Sequence, residues 1–136
     1  MNLLMCPVCR EALTLNERTW RCANSHSYDV AKQGYVNLHV VQHKHSKNPG
    51  DTRESVQARR AFLSAGHYAP LQQAVINKVR ELRIENLLDI GCGEGYYTDA
   101  MQSEVLQCVG VDIAKNAVQV AAKINKNITW VVGTGA

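Results

Sequence analysis

The spacing of the hydrophobic positions changes along the chain. At first they form short runs, such as residues 20–22 and 35–38, separated by turn-forming residues, which is typical of short strands. Residues 39–50 follow neither a helical nor a strand period and hold three histidines, a proline and a glycine, so we interpret them as a linker. This pattern predicts a small module over residues 1–38 and a second domain over residues 51–136.

Two helices are predicted at the start of the second domain. Asp51, with Glu54 three residues later, forms a capping box, so we expect a helix that begins there and stops at Gly66. Pro70 suits the first turn of a second helix. The apolar positions of this second helix recur at helical spacing, at Leu71, Ala74, Val75, Val79 and Leu82.

From Asn86 onward, short apolar runs alternate with helical segments. Strands are predicted over residues 87–90, 106–111 and 128–132, and we expect the first of them to be buried; helices are predicted over 96–103 and 115–123. Strand–helix alternation of this kind favours an α/β fold with a parallel, Rossmann-like sheet. The sequence therefore predicts helices that cross between neighbouring parallel strands.

Composition restricts the classes of function. With 46% hydrophobic residues the chain can bury a core, but no run approaches the roughly 18 apolar residues of a membrane span. The N-terminus lacks a basic start and a long apolar run, so we expect a cytoplasmic protein without membrane association. The first 60 residues hold nine Lys or Arg and five Asp or Glu. This excess favours an anionic partner such as RNA, although a solvated linker would carry the same charge.

Three early cysteines and one histidine have the spacing of a metal site. Cys6 and Cys9 are separated by two residues, and Cys22 and His26 by three, so each pair can hold an ion from a turn. Three thiolates and one imidazole are typical of a closed, tetrahedral structural zinc site. In so short a module the ion would supply much of the folding energy. The rivals of His26 for the fourth position are the linker histidines His39, His43 and His45.

The segment after the first strand of the second domain predicts a cofactor site. Asp89 precedes Gly91, the first glycine of a G-x-G-x-G loop, and Asp112 ends the next strand, where an acid can bind ribose hydroxyls. Dinucleotide sites use the longer spacing G-x-G-x-x-G. The shorter spacing and the preceding acid favour S-adenosylmethionine over a nicotinamide cofactor. We interpret Cys92 as a small filler of the loop rather than a nucleophile, and Cys108 as a core residue.

With these motifs the chain resembles the bacterial large-subunit ribosomal RNA guanine-N1 methyltransferases. That family joins a Cys3His zinc module to a class I methyltransferase domain. The resemblance extends over the whole chain and is most specific in the middle segments, which general methyltransferases lack. Besides the four metal ligands, it rests on residues 29–38, 49–51, 57–63, 65–68, 70–71 and 89–98.

The resemblance implies methyl transfer from S-adenosylmethionine to guanine N1 of the large ribosomal RNA, a zinc module that helps to hold this RNA, and a homodimer. It also implies that Gly93 and Glu94, together with Tyr68, contact the methionine side of the cofactor. Without the resemblance, Tyr68 would be interpreted as an ordinary core aromatic residue. Arg59 and Arg60 either face phosphate or belong to a solvated helix face.

The family has seven-stranded sheets, whereas the sequence of the second domain predicts only three strands. We therefore expect the chain to represent the first half of a methyltransferase domain, to contain no catalytic residue that can be named, and to be inactive by itself. The alternative is a non-catalytic, zinc-containing protein that binds RNA or a ligand. Whether the reading frame continues beyond Ala136 distinguishes the two hypotheses. A zinc-dependent dehydrogenase is excluded by the glycine spacing.

Overall fold

The computed structural model describes residues 3–39 and 52–134, which form two sheets and four helices in these ranges. The first sheet is antiparallel and belongs to the N-terminal module. Its strands are β1 (Thr14–Asn16), β2 (Thr19–Arg21) and β3 (Ser27–Asp29), in that order. Each strand has only three residues, and most of their side chains are exposed.

The second sheet is parallel and contains four strands. These are β4 (Tyr35–Asn37), β5 (Asn86–Ile90), β6 (Gln107–Asp112) and β7 (Thr129–Val132), arranged in the order β4-β7-β6-β5. The helices are α1 (Arg53–Ser64), α2 (Ala69–Leu82), α3 (Tyr96–Gln102) and α4 (Lys115–Ile124). The predicted α/β fold with a small Cys-rich N-terminal module is confirmed.

Strand β4 lies where the sequence did not place it. The sequence analysis assigned residues 35–38 to the N-terminal module, but Val36 pairs with Val131 of β7, and Leu38 N donates to Val132 O at 2.8 Å. Tyr35 and Val36 are both buried, as expected for a strand covered on both faces of a parallel sheet. The parallel sheet therefore has four strands instead of the predicted three. The domain boundaries at residues 38 and 51 remain a prediction.

Helix α1 is capped by a residue that the sequence analysis did not select. Thr52 is the N-cap, and its Oγ1 accepts a hydrogen bond from Ser55 N at 3.1 Å. This bond satisfies one of the free amide groups of the first turn. The predicted cap, Asp51, lies outside the described residues, as does all of the predicted linker except His39. Gly66, with φ of +91°, follows the end of the helix as predicted.

The two faces of the parallel sheet are covered by different elements. On one face, Val118 and Ala121 of α4 form a core with Trp130 of β7. On the opposite face, Leu4 and Leu13 of the N-terminal module pack against the sheet. Their partners there are Val36, Val109 and Val131. The N-terminal module is therefore a layer of the fold, because its own apolar residues complete the core of the second sheet.

The outer end of the sheet is less covered than its sequence predicts. Leu88 and Ile90 of β5 are 59% and 60% exposed, although we predicted a buried strand. Strand β5 is the last strand of the sheet among the described residues, and the N-terminal module packs on β4, β7 and β6 instead. The predicted face of α2 is likewise buried only in part, since Val79 is buried whereas Leu71 and Leu82 are exposed.

None of the helices in the described ranges has the length and apolarity that crossing a membrane requires.

Candidate metal centre and cofactor site

Cys6, Cys9, Cys22 and His26 converge on one point of the N-terminal module. Their ligand atoms all lie within 4.8 Å of one another. The Sγ atoms of Cys6 and Cys22 are 3.5 and 3.4 Å from His26 Nδ1, and those of Cys9 and Cys22 are 3.6 Å apart. A tetrahedron with Zn–S of about 2.3 Å and Zn–N of about 2.0–2.1 Å has edges of roughly 3.5–3.8 Å. The four atoms therefore fit a tetrahedral zinc ion.

Two tight turns present these ligands. Arg10 N donates to Cys6 O at 2.9 Å, and Ser25 N donates to Cys22 O at 3.1 Å. Arg10 and Ser25 have φ of +65° and +68°, a left-handed conformation that is costly for residues other than glycine. His26 N also donates to Cys22 Sγ at 3.4 Å. Local backbone geometry therefore places all four ligands, and metal binding can offset the strain of the turns.

Hydrogen bonds shift the pKa values of the ligand thiols. Burial raises the pKa of Cys6, but donors that include the Tyr28 hydroxyl outweigh burial, so its net pKa is lowered. The pKa of Cys9 is also lowered, mainly by a hydrogen bond with the Asn24 side chain. Burial raises the pKa of Cys22. Two of the three thiols are thus biased toward the thiolate form that binds zinc.

The rival histidines do not change this ligand set within the described residues. His39 follows β4 and is buried, and its backbone N donates to Asn37 Oδ1 at 2.9 Å. It does not belong to the metal-ligating group. His43 and His45 lie outside the described residues.

The glycine loop and the end of β6 meet at the carboxyl edge of the parallel sheet. Gly93 N donates to Asp112 Oδ2 at 2.9 Å, and Ala114 N donates to Asp112 Oδ1 at 2.8 Å. Gly91 N donates to Val111 O at 2.7 Å, which fixes the start of the loop against β6. Each carboxylate oxygen has two lone pairs, so each keeps one acceptor position for a ligand hydroxyl.

The glycines of the loop lie in different surroundings. Gly91, Gly93 and Gly95 have φ of +81°, +59° and +90°, which disfavour any residue with a Cβ. A Cβ at Gly91 would meet nothing within 4 Å, so the first glycine borders open space. A Cβ at Gly95 would lie 2.8 Å from Trp130 Cη2. The first glycine therefore leaves room for a ligand, and the third lets the loop pack closely on the core.

Asp89 and Cys92 lie at the base of the same loop. Asp89 Oδ2 accepts a hydrogen bond from Thr98 Oγ1 at 2.6 Å, and Thr98 is fully buried, so helix α3 fixes this carboxylate. Burial raises the pKa of the Cys92 thiol strongly, and the nearby Asp112 and Asp89 raise it further. A neutral thiol agrees with its interpretation as a filler. Burial also raises the pKa of Cys108, to about 11, in agreement with a core position.

Glu94 and Tyr68 are placed on neighbouring segments. Glu94 is 8% exposed and borders a cavity of about 240 Å³. Tyr68 is the residue before α2, is 43% exposed and packs edge-on against Phe62, with ring centroids 5.7 Å apart. Tyr68 is not one of the residues that line the cavity, which are Arg60, Leu63, Ser64, Gln72, Glu94, Gly95, Tyr96, Asp99 and Ile124. The contact of Tyr68 with the cofactor stays a prediction.

Several residues around the loop were not identified by the sequence analysis, or their role was left open. Gln72 Nε2 donates to Tyr96 O at 2.8 Å and so ties α2 to the start of α3. The buried Trp130 lies beneath the loop and packs closely on Gly95. Gly110, which pairs with Trp130 from β6, is the feature of the sequence that could have indicated a bulky side chain packed against this strand. Arg59 is exposed on α1, and its guanidinium lies 3.9 Å from a Cβ built at Gly93, so both interpretations of this residue stay open.

Comparison with known families identifies both parts of the chain. Residues 4–47 match the RlmA N-terminal zinc ribbon, and residues 87–136 match a methyltransferase domain. Together with the convergence of the four zinc ligands, these matches confirm zinc and S-adenosylmethionine as the two cofactors. The contacts of individual residues with S-adenosylmethionine remain predictions.

Similar proteins exist in several bacteria. The chain is 38% identical over 129 residues to a 23S rRNA (guanine(748)-N(1))-methyltransferase of Streptomyces fradiae, covering 90% of the chain and 45% of the relative. It is 34% identical over 142 residues to a protein named as a putative 23S rRNA (guanine-N(1)-)-methyltransferase of Micromonospora griseorubida, covering 88% and 47%. The chain thus spans about half the length of these curated relatives. The chain is therefore similar to these 23S rRNA guanine-N1 methyltransferases along most of its own length, and its two matched regions are a zinc ribbon and a methyltransferase domain.

Proposed function

We propose that the protein to which these residues belong transfers a methyl group from S-adenosylmethionine to guanine N1 of 23S ribosomal RNA. The names of the relatives support this substrate. The observation that carries the proposal is the contact between Asp112 and the Gly93 amide. It holds a carboxylate at the carboxyl edge of a parallel sheet, where α/β folds bind their ligands.

In this proposal Asp112 accepts hydrogen bonds from the ribose hydroxyls of the cofactor. Its two oxygens are oriented by the amides of Gly93 and Ala114, so binding requires little rearrangement of the carboxylate. The open space beside Gly91 supports a close approach of the cofactor to the backbone. The residues that we propose as cofactor contacts are Tyr68, Asp89, Gly91, Gly93, Glu94 and Asp112.

The bound cofactor supplies an electrophilic methyl group, so the protein's main task is to position the acceptor. Donor carbon and acceptor nitrogen must be held in line at about 3–3.5 Å. Guanine N1 carries a proton at neutral pH, and a general base must accept it as the new bond forms. We assign this base to none of the described residues.

An RNA substrate also agrees with the charge of the N-terminal half. Residues 1–60 hold nine cationic and five acidic side chains, and Arg10, Arg21 and Lys32 are exposed on or beside the zinc ribbon. Cationic side chains of this kind bind the phosphate backbone. A ribosomal substrate would place the protein in the cytoplasm, and we propose, by analogy with the family, that it acts as a homodimer.

The test uses a hybrid protein in which residues 3–134 replace the aligned segment of the Streptomyces fradiae relative. We expect the hybrid to transfer label from S-adenosylmethionine to guanine N1 of unmodified 23S RNA, and the 136-residue chain alone to transfer none. Transfer to a different atom would show the proposal wrong, whereas transfer to guanine N1 by the 136-residue chain alone would contradict only the expected inactivity of the isolated chain. If the hybrid does not fold, the cofactor site is tested in the relative itself, by substituting alanine at the position that aligns with Asp112.

Asp112→Ala in the hybrid tests the cofactor site. A hydrogen bond to a charged group contributes about 1.5–3 kcal/mol, so the affinity for S-adenosylhomocysteine should fall roughly 10- to 150-fold in calorimetry. Asp29→Ala is the matched control, because Asp29 lies on β3 and accepts from Thr19 Oγ1 at 2.7 Å, within the ribbon. Equal affinities of the Asp112→Ala and unsubstituted hybrids would refute the assignment of Asp112.

A further inference from the structure

A tyrosine hydroxyl lies against one of the zinc ligands. Tyr28, on β3, places its hydroxyl oxygen 3.4 Å from Cys6 Sγ. Cys6 is fully buried, and the Tyr28 ring packs against the same cluster of apolar residues that contains Cys6. The phenol therefore approaches the metal centre from the apolar side, where water does not compete for the sulfur atom.

The direction of this hydrogen bond follows from the chemistry of the site. A zinc-bound cysteine is a thiolate and has no proton to donate. The Tyr28 hydroxyl must therefore be the donor and Cys6 Sγ the acceptor. Zinc with three thiolates and a neutral imidazole carries a net charge of −1, so a donor to one sulfur atom stabilises the buried site.

We propose that Tyr28 is a positioning residue of the zinc centre, which orients and partly neutralises the Cys6 thiolate through its hydroxyl. The other ligands are held by different groups. His26 N donates to Cys22 Sγ, and the Asn24 side chain interacts with Cys9, so Cys6 is the ligand that depends on a phenol. Outer partners of this kind orient metal ligands and tune the affinity for the ion.

Tyr28→Phe removes the hydroxyl and leaves the ring in the cluster. Loss of such a partner typically costs 10- to 100-fold in metal affinity, so we expect the zinc dissociation constant of the full chain to rise roughly tenfold in a chelator competition. Tyr35→Phe is the matched control. Its hydroxyl accepts from Gln119 Nε2 at 3.2 Å, away from the metal, and its removal should change zinc affinity less than about twofold.

A spectroscopic measurement separates this role from a general loss of packing. With cobalt in place of zinc, the thiolate-to-metal charge-transfer band should shift to lower energy in Tyr28→Phe, because a thiolate without its donor is more electron-rich. The band should stay unchanged in Tyr35→Phe. Unchanged affinity and an unchanged band in Tyr28→Phe would overturn the proposal. So would equal losses of affinity in the two variants, since these would indicate packing alone.

Discussion

The zinc ribbon and the parallel sheet are held together in different ways. The three ribbon strands have three residues each, and few of their side chains are buried. Strands β6 and β7 each bury three consecutive residues, and Val109, Trp130 and Val131 are each at most 3% exposed. The ribbon therefore depends on its metal ligands, whereas the sheet depends on the burial of apolar surface.

The two regions are nevertheless physically continuous. Cys6 and Cys22 belong to the same buried cluster as Val36, Val109 and Val131 of the sheet. Zinc binding thus fixes side chains that also cover one face of the methyltransferase core. Zinc therefore has a structural effect beyond the ribbon, because the apolar layer that it stabilises belongs both to the ribbon and to the core of the parallel sheet.

The largest effect is expected from removing two zinc ligands. Cys6→Ser combined with Cys22→Ser should abolish zinc binding and unfold the ribbon, since structural zinc contributes about 10–16 kcal/mol in zinc-finger peptides. Amide hydrogen exchange should also become faster in β4 and β7, because their cover is lost. Metal analysis and exchange measured by mass spectrometry check both expectations.

The control for this experiment is Cys108→Ala, which removes a buried thiol on the opposite face of the sheet. It should retain zinc. Full zinc content in the double variant would disprove the ligand assignment. Loss of zinc with unchanged exchange in β4 and β7 would instead show that the two regions are independent.

A smaller effect should be confined to the sheet. A Cβ at Gly110 would lie 2.6 Å from Trp130 Cζ3, so Gly110→Ala must displace the indole and should destabilise the chain by about 1–3 kcal/mol in denaturant unfolding. At Gly133 the nearest atom to an added Cβ is Val131 Cγ1 at 3.7 Å, an ordinary contact, so Gly133→Ala is the control. Zinc affinity should be unaffected in both. Equal stabilities of the two variants would contradict the close packing of Trp130.

The smallest effect concerns the first helix after the zinc ribbon. Thr52→Ala removes the N-cap bond to Ser55 N and should cost about 1 kcal/mol of unfolding free energy. Thr52→Ser keeps the hydroxyl and should retain most of the stability. Thermal unfolding of the two variants measures the difference. Indistinguishable variants would show that Thr52 is not the effective cap of α1.

The sequence by itself determined the features that depend on near neighbours along the chain. The zinc ligands lie within two tight turns, and the positions of helices α1 to α4 follow from local hydrophobic spacing, with Gly66 after α1 and Pro70 in the first turn of α2. The loop glycines follow a strand directly, so their need for positive φ could be inferred from the order of elements. Such features could be predicted because the interactions that produce them are local.

Only the tertiary structure decided how distant segments share a core. Strand β4 has the apolar pattern of a short strand, and this pattern fits the edge of either sheet; its pairing with β7 depends on residues much later in the chain. The exposure of Leu88 and Ile90 and the position of Tyr28 beside Cys6 likewise depend on which layer covers which face. The local hydrophobic pattern shows which side chains are apolar and which of them share a face of their helix or strand. The pattern does not show which element covers that face, because this depends on contacts with segments that are distant in the sequence.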